Sequence, residues 1–175
     1  MSYYIKEIIK EDIRDYLTVN TKAWVETYKG IMSDEFLEKI VVDHEQNVKR
    51  LEDKFDDTKI NEPDYIRFLL YVDNKPVGNM AICKSREEDY SSSGELCTLY
   101  LLNEAKKKGY GKILFDKAKE ELIKQGYEDM IIYCLKDNPT NEFYKHMGGE
   151  LVLTKIRNIG GKDYEENVYY YNKLK

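Results

Sequence analysis

Lys106-Lys107-Lys108-Gly109-Tyr110-Gly111-Lys112 stands between a strand-like and a helix-like run, and this junction decides the fold. The run before it, Glu95 to Leu102, is apolar and β-favouring. After it, Ile113, Leu114, Ala118, Leu122 and Ile123 recur at helical spacing. Two glycines two apart at a strand-to-helix junction let backbone amides close on a ligand. A helix start carries unpaired N–H groups and the positive dipole end, so it suits phosphate. Four lysines around the glycines add counter-charge. Taken alone, the septet also reads as a basic surface loop with a flexible joint.

Working outward, the helix runs to about Gln125 and Gly126 stops it. Met130–Leu135 then reads as a buried strand. Asn138-Pro139 is expected to open a short helix, with Asn as cap and Pro at the first helical position; Gly148-Gly149 ends it. Two last strands, Glu150–Arg157 and Glu165–Asn172, flank a turn at Gly160-Gly161. Upstream, Tyr3–Ile8 alternates like a strand, and Asp12–Tyr28 is helical up to Gly30. Ser33 reads as an N-cap with Asp34 and Glu35 behind it. Asp43 and Gln46 resemble a capping box for a further helix to about Phe55. Composition changes near Asn61-Glu62-Pro63. Tyr65–Val72 and Val77–Cys83 then predict a hairpin about Asp73–Pro76, and Arg86–Ser93 a polar loop. Residues 1–175 thus predict one domain of mixed α/β (α+β) class.

The 175 residues, 42% of them hydrophobic, are enough to bury a core. There is no long uncharged apolar run, so no membrane span is expected, and the N-terminus lacks the pattern of a signal peptide. Cys83, Cys97 and Cys134 sit in apolar runs and read as buried thiols of a reducing cytoplasm. Net charge is −5. Residues 1–65 carry 10 basic and 16 acidic side chains, which argues against a nucleic-acid partner and suits either a cationic ligand or a solvated acidic face. His44 and His146 are the only histidines, and no Cys pair has ligand spacing in the chain, so no metal is expected.

This order of elements resembles the GCN5-related N-acetyltransferase (GNAT) family over nearly the whole chain. The family's cofactor loop, Gln/Arg-x-x-Gly-x-Gly/Ala, is matched by Lys106 through Gly111, with Lys at the first position. Asn138, Phe143-Tyr144 and Gly148 match a second motif, although Asn141 stands where a small residue is usual and Gly149 where an aromatic is usual. A third match, Ala23-Trp24 to Tyr28 and Gly30-Ile31, resembles the first-helix signature of bacterial members, with Ser33 in place of a proline.

The resemblance implies a central mixed, mostly antiparallel sheet of about seven strands flanked by four to five helices. It implies acetyl-coenzyme A as co-substrate and a small-molecule amine or peptide as acceptor, in a monomer or homodimer. The pyrophosphate would lie on the amides and side chains of Lys106, Lys107, Lys108, Gly109, Tyr110, Gly111 and Lys112. The pantetheine arm would run along Leu99, Tyr100 and Leu101, where a main-chain N–H serves as oxyanion donor. Asn138, Asn141 and Phe143 would contact the cofactor, and Tyr144 would protonate the leaving thiolate. Glu95 is the candidate base, or else a strand-edge carboxylate; Glu26, Asp34 or a water chain could replace it. Trp24, Tyr28, Ile31 and Glu95 are candidates for the acceptor side, with core packing the alternative for the first two. A different class also fits: a non-catalytic domain that binds acetyl-coenzyme A as a sensor or assembly module. A nucleotide-triphosphate loop does not fit, because Ile113 follows Gly111-Lys112 and position 106 is not glycine.

Overall fold

The computed structural model describes residues 2–55 and 65–174; the expected change of character at 61–63 lies outside them. Its centre is a seven-stranded sheet: β1 (Tyr3–Glu7), β2 (Ile66–Val72), β3 (Lys75–Lys84), β4 (Gly94–Leu101), β5 (Met130–Leu135), β6 (Glu150–Ile159) and β7 (Lys162–Tyr171). The order across it is β1-β2-β3-β4-β5-β7-β6. Only β4 and β5 run parallel, and they pair for just three positions, Gly94–Leu96 against Met130–Ile132. Beyond these the two strands part, leaving unpaired edges facing each other in mid-sheet.

Among the described residues there are five α-helices. α1 (Ile13–Tyr28), α2 (Asp34–Val42) and α3 (His44–Lys54) cover one face, α4 (Tyr110–Lys124) the other, and α5 (Asn141–His146) follows β5. The apolar stripe of α4, with Leu114, Phe115, Ala118 and Leu122 almost fully buried, packs on Met80, Ile82, Leu96, Ile132 and Tyr169. Ile13, Tyr16, Val19 and Ala23 of α1 pack on Leu69 and Tyr71. Asn79, fully buried, donates to the Tyr16 carbonyl (3.3 Å) and Asn20 Oδ1 (3.2 Å), so a polar clamp adds to the apolar contact between α1 and β3.

Local expectations shift in four places. Asp43 is helical (φ −77°, ψ 0°) and its side chain caps nothing. The expected capping box is absent because α2 runs almost directly into α3. The β2–β3 turn is only two residues, Asp73 (φ 48°) and Asn74 (φ 65°), the left-handed pair that matches strand twist. Pro76 therefore falls inside β3, beside a register shift in which Val77 of β3 is the extra residue, a position where a strand tolerates proline. Gly160-Gly161 (φ 60° and 85°) likewise tighten the last hairpin, extending β6 to Ile159 and starting β7 at Lys162. Finally, Asn138 does not cap α5. Its Oδ1 accepts from the Thr140 N–H (2.9 Å), forming a turn that delays the helix to Asn141.

Gly149 has a packing reason. A Cβ there would lie 2.7 Å from the Tyr171 hydroxyl and 2.9 Å from the Tyr144 carbonyl, and those two groups are bonded to each other (2.7 Å). The space is already filled by Tyr171, which explains why no larger residue stands here. Gly149→Ala is expected to cost about 1–3 kcal/mol through overpacking; the urea midpoint should fall, with an unchanged slope.

Candidate active site

The parting of β4 from β5 opens a cleft of about 310 Å3, lined by β4 from Leu96 to Leu101, the glycine loop, Tyr133 and Cys134, Asn138, Phe143 and Tyr144, and closed above by Thr27 and Tyr28. One groove therefore joins the glycine loop to the aromatic end of α1.

At the loop end, Lys107 (φ 60°) and Gly109 (φ 85°) both adopt the left-handed conformation on either side of Lys108. Such alternation turns successive N–H groups toward one concavity, a geometry that binds anions. The first intrahelical bond of α4 is Ile113 N–H to the Gly109 carbonyl (3.2 Å). The amides of Tyr110, Gly111 and Lys112 precede it and point out of the helix start. Gly109 is needed for its backbone angle, since a Cβ there would meet nothing within 4 Å. Gly111 is a matter of space: its Cβ would meet the Phe143 ring at 3.6 Å and the Leu101 side chain at 3.8 Å, both ordinary contacts, so an alanine fits and a larger side chain would enter the cleft.

Lys106, Lys107, Gly109, Gly111 and Lys112 all line the cleft, whereas Lys108 and Tyr110 do not. The Tyr110 ring is core, edge-on to Tyr3 at 6.0 Å, so this residue offers only its amide. Lys112 pairs with Asp116 one turn on.

At the other end Tyr28, Tyr100 and Tyr144 gather. Tyr28 and Tyr100 share a hydroxyl contact of 3.3 Å, and Trp24 packs behind them with ring centroids 4.7 Å and 6.2 Å away. Trp24 and Ile31, expected on the acceptor side, lie outside the cleft lining. They pack with Met32 and Leu37 and hold Tyr28 in position. The Tyr144 phenol is buried and raised well above its ordinary pKa, first by desolvation and then by Cys134, Tyr28 and Tyr171. It stays protonated across any physiological pH.

Two expected cofactor or catalytic residues are used by the framework instead. Asn141 does not reach the cleft. Its Nδ2 donates to the carbonyls of Leu135 (2.8 Å) and Asn138 (2.6 Å), and its Oδ1 accepts from Asn167 (2.9 Å) and the Tyr169 hydroxyl (2.8 Å). A small residue at this position would leave those buried groups unpaired, which accounts for an asparagine here. Glu95 is wholly buried and outside the lining, and Arg86 grips both its oxygens while adding its own backbone N–H (3.1 Å). This pairing raises the Arg86 pKa, with the hydrogen bond to Glu95 the largest cause. Glu26, another base candidate, accepts from the Asn103 amide (2.7 Å) and ties α1 to the end of β4.

Sequence reasoning missed Thr27, Thr98, Tyr133, Cys134 and Thr140 as cleft residues. Strand alternation in β5 foretells two faces, but no residue type marks where strand pairing stops. It missed a cluster as well. Strand pairing brings ligand atoms of Cys83, Cys97 and Glu95 within 4.8 Å of one another, although the thiols are remote in the chain. Arg86 already occupies the carboxylate. Cys97 is partly exposed to the cleft rather than buried, and Cys83 beside it together with burial keeps its thiol protonated. Burial likewise pushes Cys134 up to about 12. None of the described helices is long and apolar enough to cross a membrane.

Comparison with known proteins agrees with this architecture. The Acetyltransferase (GNAT) family matches residues 24–148. The chain is 28% identical over 158 residues to the uncharacterized N-acetyltransferase YuaI of Bacillus subtilis, covering 90% of this chain and 86% of that one. It is 23% identical over 164 residues to a spermidine N(1)-acetyltransferase of Thermoplasma acidophilum, covering 94% and 95%. Among solved structures, PaiA N-acetyltransferase from Thermoplasma acidophilum in complex with coenzyme A superposes with a TM-score of 0.67 at 22% identity over 99% of both chains. A GCN5-related N-acetyltransferase from Rhodopseudomonas palustris reaches 0.73 at 13% identity, over 98% of this chain and 96% of that one. With the expected sheet, glycine loop and Asn138–Tyr144 segment all assembled about one cleft, the chain belongs to the GNAT family of acetyltransferases and is an acyltransferase.

Proposed function

We propose that this protein transfers the acetyl group of acetyl-coenzyme A to a primary amine of a small molecule, by direct attack with both substrates bound. The observation that carries this reading is the single groove from the glycine loop, past the parted edges of β4 and β5, to Tyr144 and Tyr28. The amides of residues 107–112 hold the pyrophosphate, with Lys106, Lys107 and Lys112 at the rim. The amide-rich pantetheine arm pairs with the free edge of β4 at Leu99–Leu101, as an added strand would. A main-chain N–H of that edge meets the oxyanion as the amine attacks the thioester carbon. The C–S bond then breaks, and Tyr144 gives its phenol proton to the thiolate.

Glu95 supports this site from beneath. We infer that its task is to anchor Arg86 over Tyr133, whose ring lies 6.0 Å from the guanidinium, rather than to take the amine's proton. The PaiA complex with coenzyme A supports the choice of co-substrate, and the spermidine acetyltransferase supports a small polycationic amine over a peptide. The acceptor end is roofed by α1, α2 and the β6–β7 turn, where Gly160 sits against the Phe36 ring. A roofed pocket suits a narrow alkyl amine better than a protein surface.

Free-thiol release should be followed with acetyl-coenzyme A against di- and polyamines, amino acids, aminoglycosides and N-terminal peptides. Turnover is expected with the polyamines at rates at least tenfold above the peptides. A protein that binds the thioester in calorimetry yet turns over no amine would instead be the binding-only module.

A further inference from the structure

The proposed reaction needs a group to take a proton from the acceptor, and Glu95 is held by Arg86. Glu166 on β7 meets the requirement from a part of the chain that no family motif covers. It is directly opposite Leu135 of β5 and Lys155 of β6. Directly paired residues of antiparallel strands share a face. Leu135 packs with Tyr28, Met32 and Leu37, so Glu166 lies on the sheet face that α1 and α2 roof, one strand away from the β4–β5 parting.

The charges on this face are nearly all matched. Lys155 pairs with Glu87, whose Oε2 also accepts from the Tyr133 hydroxyl (2.7 Å). Arg86 pairs with Glu95. Arg157 donates to Glu166 Oε1 at 3.0 Å. What remains over is Glu166 Oε2. The residue is 5% exposed, and among the described residues only Asn79 Oδ1 and Thr98 Oγ1 are similarly buried without a partner. Of the three, Glu166 Oε2 alone belongs to an ionisable group. An unpaired buried carboxylate oxygen is costly unless a donor arrives. Glu166 stands behind the cleft lining, not in it; Tyr28, which does line the cleft, feels the Glu166 charge.

Resting on the acetyltransferase reading, we propose that Glu166 is the general base: its Oε2 receives the N–H of the acceptor amine and takes a proton from it. The ammonium gives one proton to Oε2, and the freed nitrogen lone pair forms the C–N bond. The C–S bond breaks with its electron pair on sulfur, which takes the Tyr144 proton. The second N–H proton returns to the Tyr144 phenolate through solvent, and Glu166 sheds its own to solvent. One proton is released per acetyl group, as acylation of an ammonium requires.

Burial raises the Glu166 pKa, while Arg157, Lys155 and Arg86 oppose the rise. A carboxyl raised toward the working pH is a better proton acceptor than an ordinary one. The groups that face it are Arg157 and Lys155 from β6, Arg86 from the β3–β4 loop and Tyr28 from α1, while Cys134 of β5 feels its charge from the opposite face.

The test is the pH profile of kcat at saturating polyamine, with acetyl-coenzyme A affinity measured beside it. Glu166→Gln should lower kcat about 100-fold, abolish the acid limb of the profile, and leave thioester affinity within twofold. Arg157→Gln removes a charge that favours the ionised carboxylate, so the acid limb should move to higher pH. A Glu166→Gln enzyme with near-normal kcat and an unmoved acid limb overturns the assignment. So does an Arg157→Gln enzyme that retains turnover with the acid limb unmoved. Absence of amine turnover in the wild-type protein would instead overturn the acetyltransferase reading, so the two failures are distinguishable.

Discussion

Tyr144→Phe should reduce kcat at least tenfold while changing acetyl-coenzyme A affinity by no more than about twofold. The substitution keeps the ring, whose neighbours Phe143 and Tyr169 lie 5.5 Å and 6.1 Å away between centroids, and removes only the hydroxyl. The backbone bonds that set α5 in place, including the Tyr171 hydroxyl on the Tyr144 carbonyl, are untouched. What is lost is the proton donor at the thiolate. Because burial raises this phenol well above 10, the acid form persists upward in pH. The wild-type kcat should therefore show no alkaline limb from Tyr144 below about pH 10. Stopped-flow thiol release on both proteins checks this; equal kcat values would take the acid role from Tyr144.

The second large effect is expected at the other end of the cleft. Gly111→Trp should weaken acetyl-coenzyme A binding at least tenfold, a loss of about 1.4 kcal/mol or more. Gly111→Ala should bind nearly as the wild type does. The contrast follows from the space available: a first carbon meets Phe143 at an ordinary 3.6 Å, but an indole must occupy the groove itself. Titration calorimetry on the two variants, with circular dichroism to verify the fold, separates blockage from unfolding. Undiminished affinity in Gly111→Trp would move the pyrophosphate away from this loop.

Much of the architecture was readable from local pattern. The continuous apolar run Met130–Leu135 and the period of about 3.6 after Gly111 reflect which side chains must leave water, and that depends on neighbours along the chain. Left-handed turns announced themselves through Gly109 and Gly160-Gly161, because few other residues accept those angles. The junction at 106–112 could be named from its glycines and lysines, whereas Asn138 and the Phe143-Tyr144 pair were named through their resemblance to a short family motif.

Other features depended on contacts between distant segments. Gly149 and Asn141 looked like weak matches until Tyr171, Asn167 and Tyr169 were seen filling or bonding the same space. Glu95 was the candidate base, but Arg86 of the preceding β3–β4 loop takes both its oxygens. Glu166 carried no signal at all. Its orphaned oxygen arises only where β5, β6, β7 and α1 converge.

Legible in the chain alone were the succession of strands and helices and the glycine junction, which follow from backbone preference and periodic burial within short windows, and the family, which rested on the resemblance of three short motifs. Only the tertiary structure decided where β4 and β5 part, which acidic side chains are already paired, and which one keeps an oxygen to spare. Those are balances of charge and hydrogen bonding between segments far apart in the chain, and no local pattern encodes them.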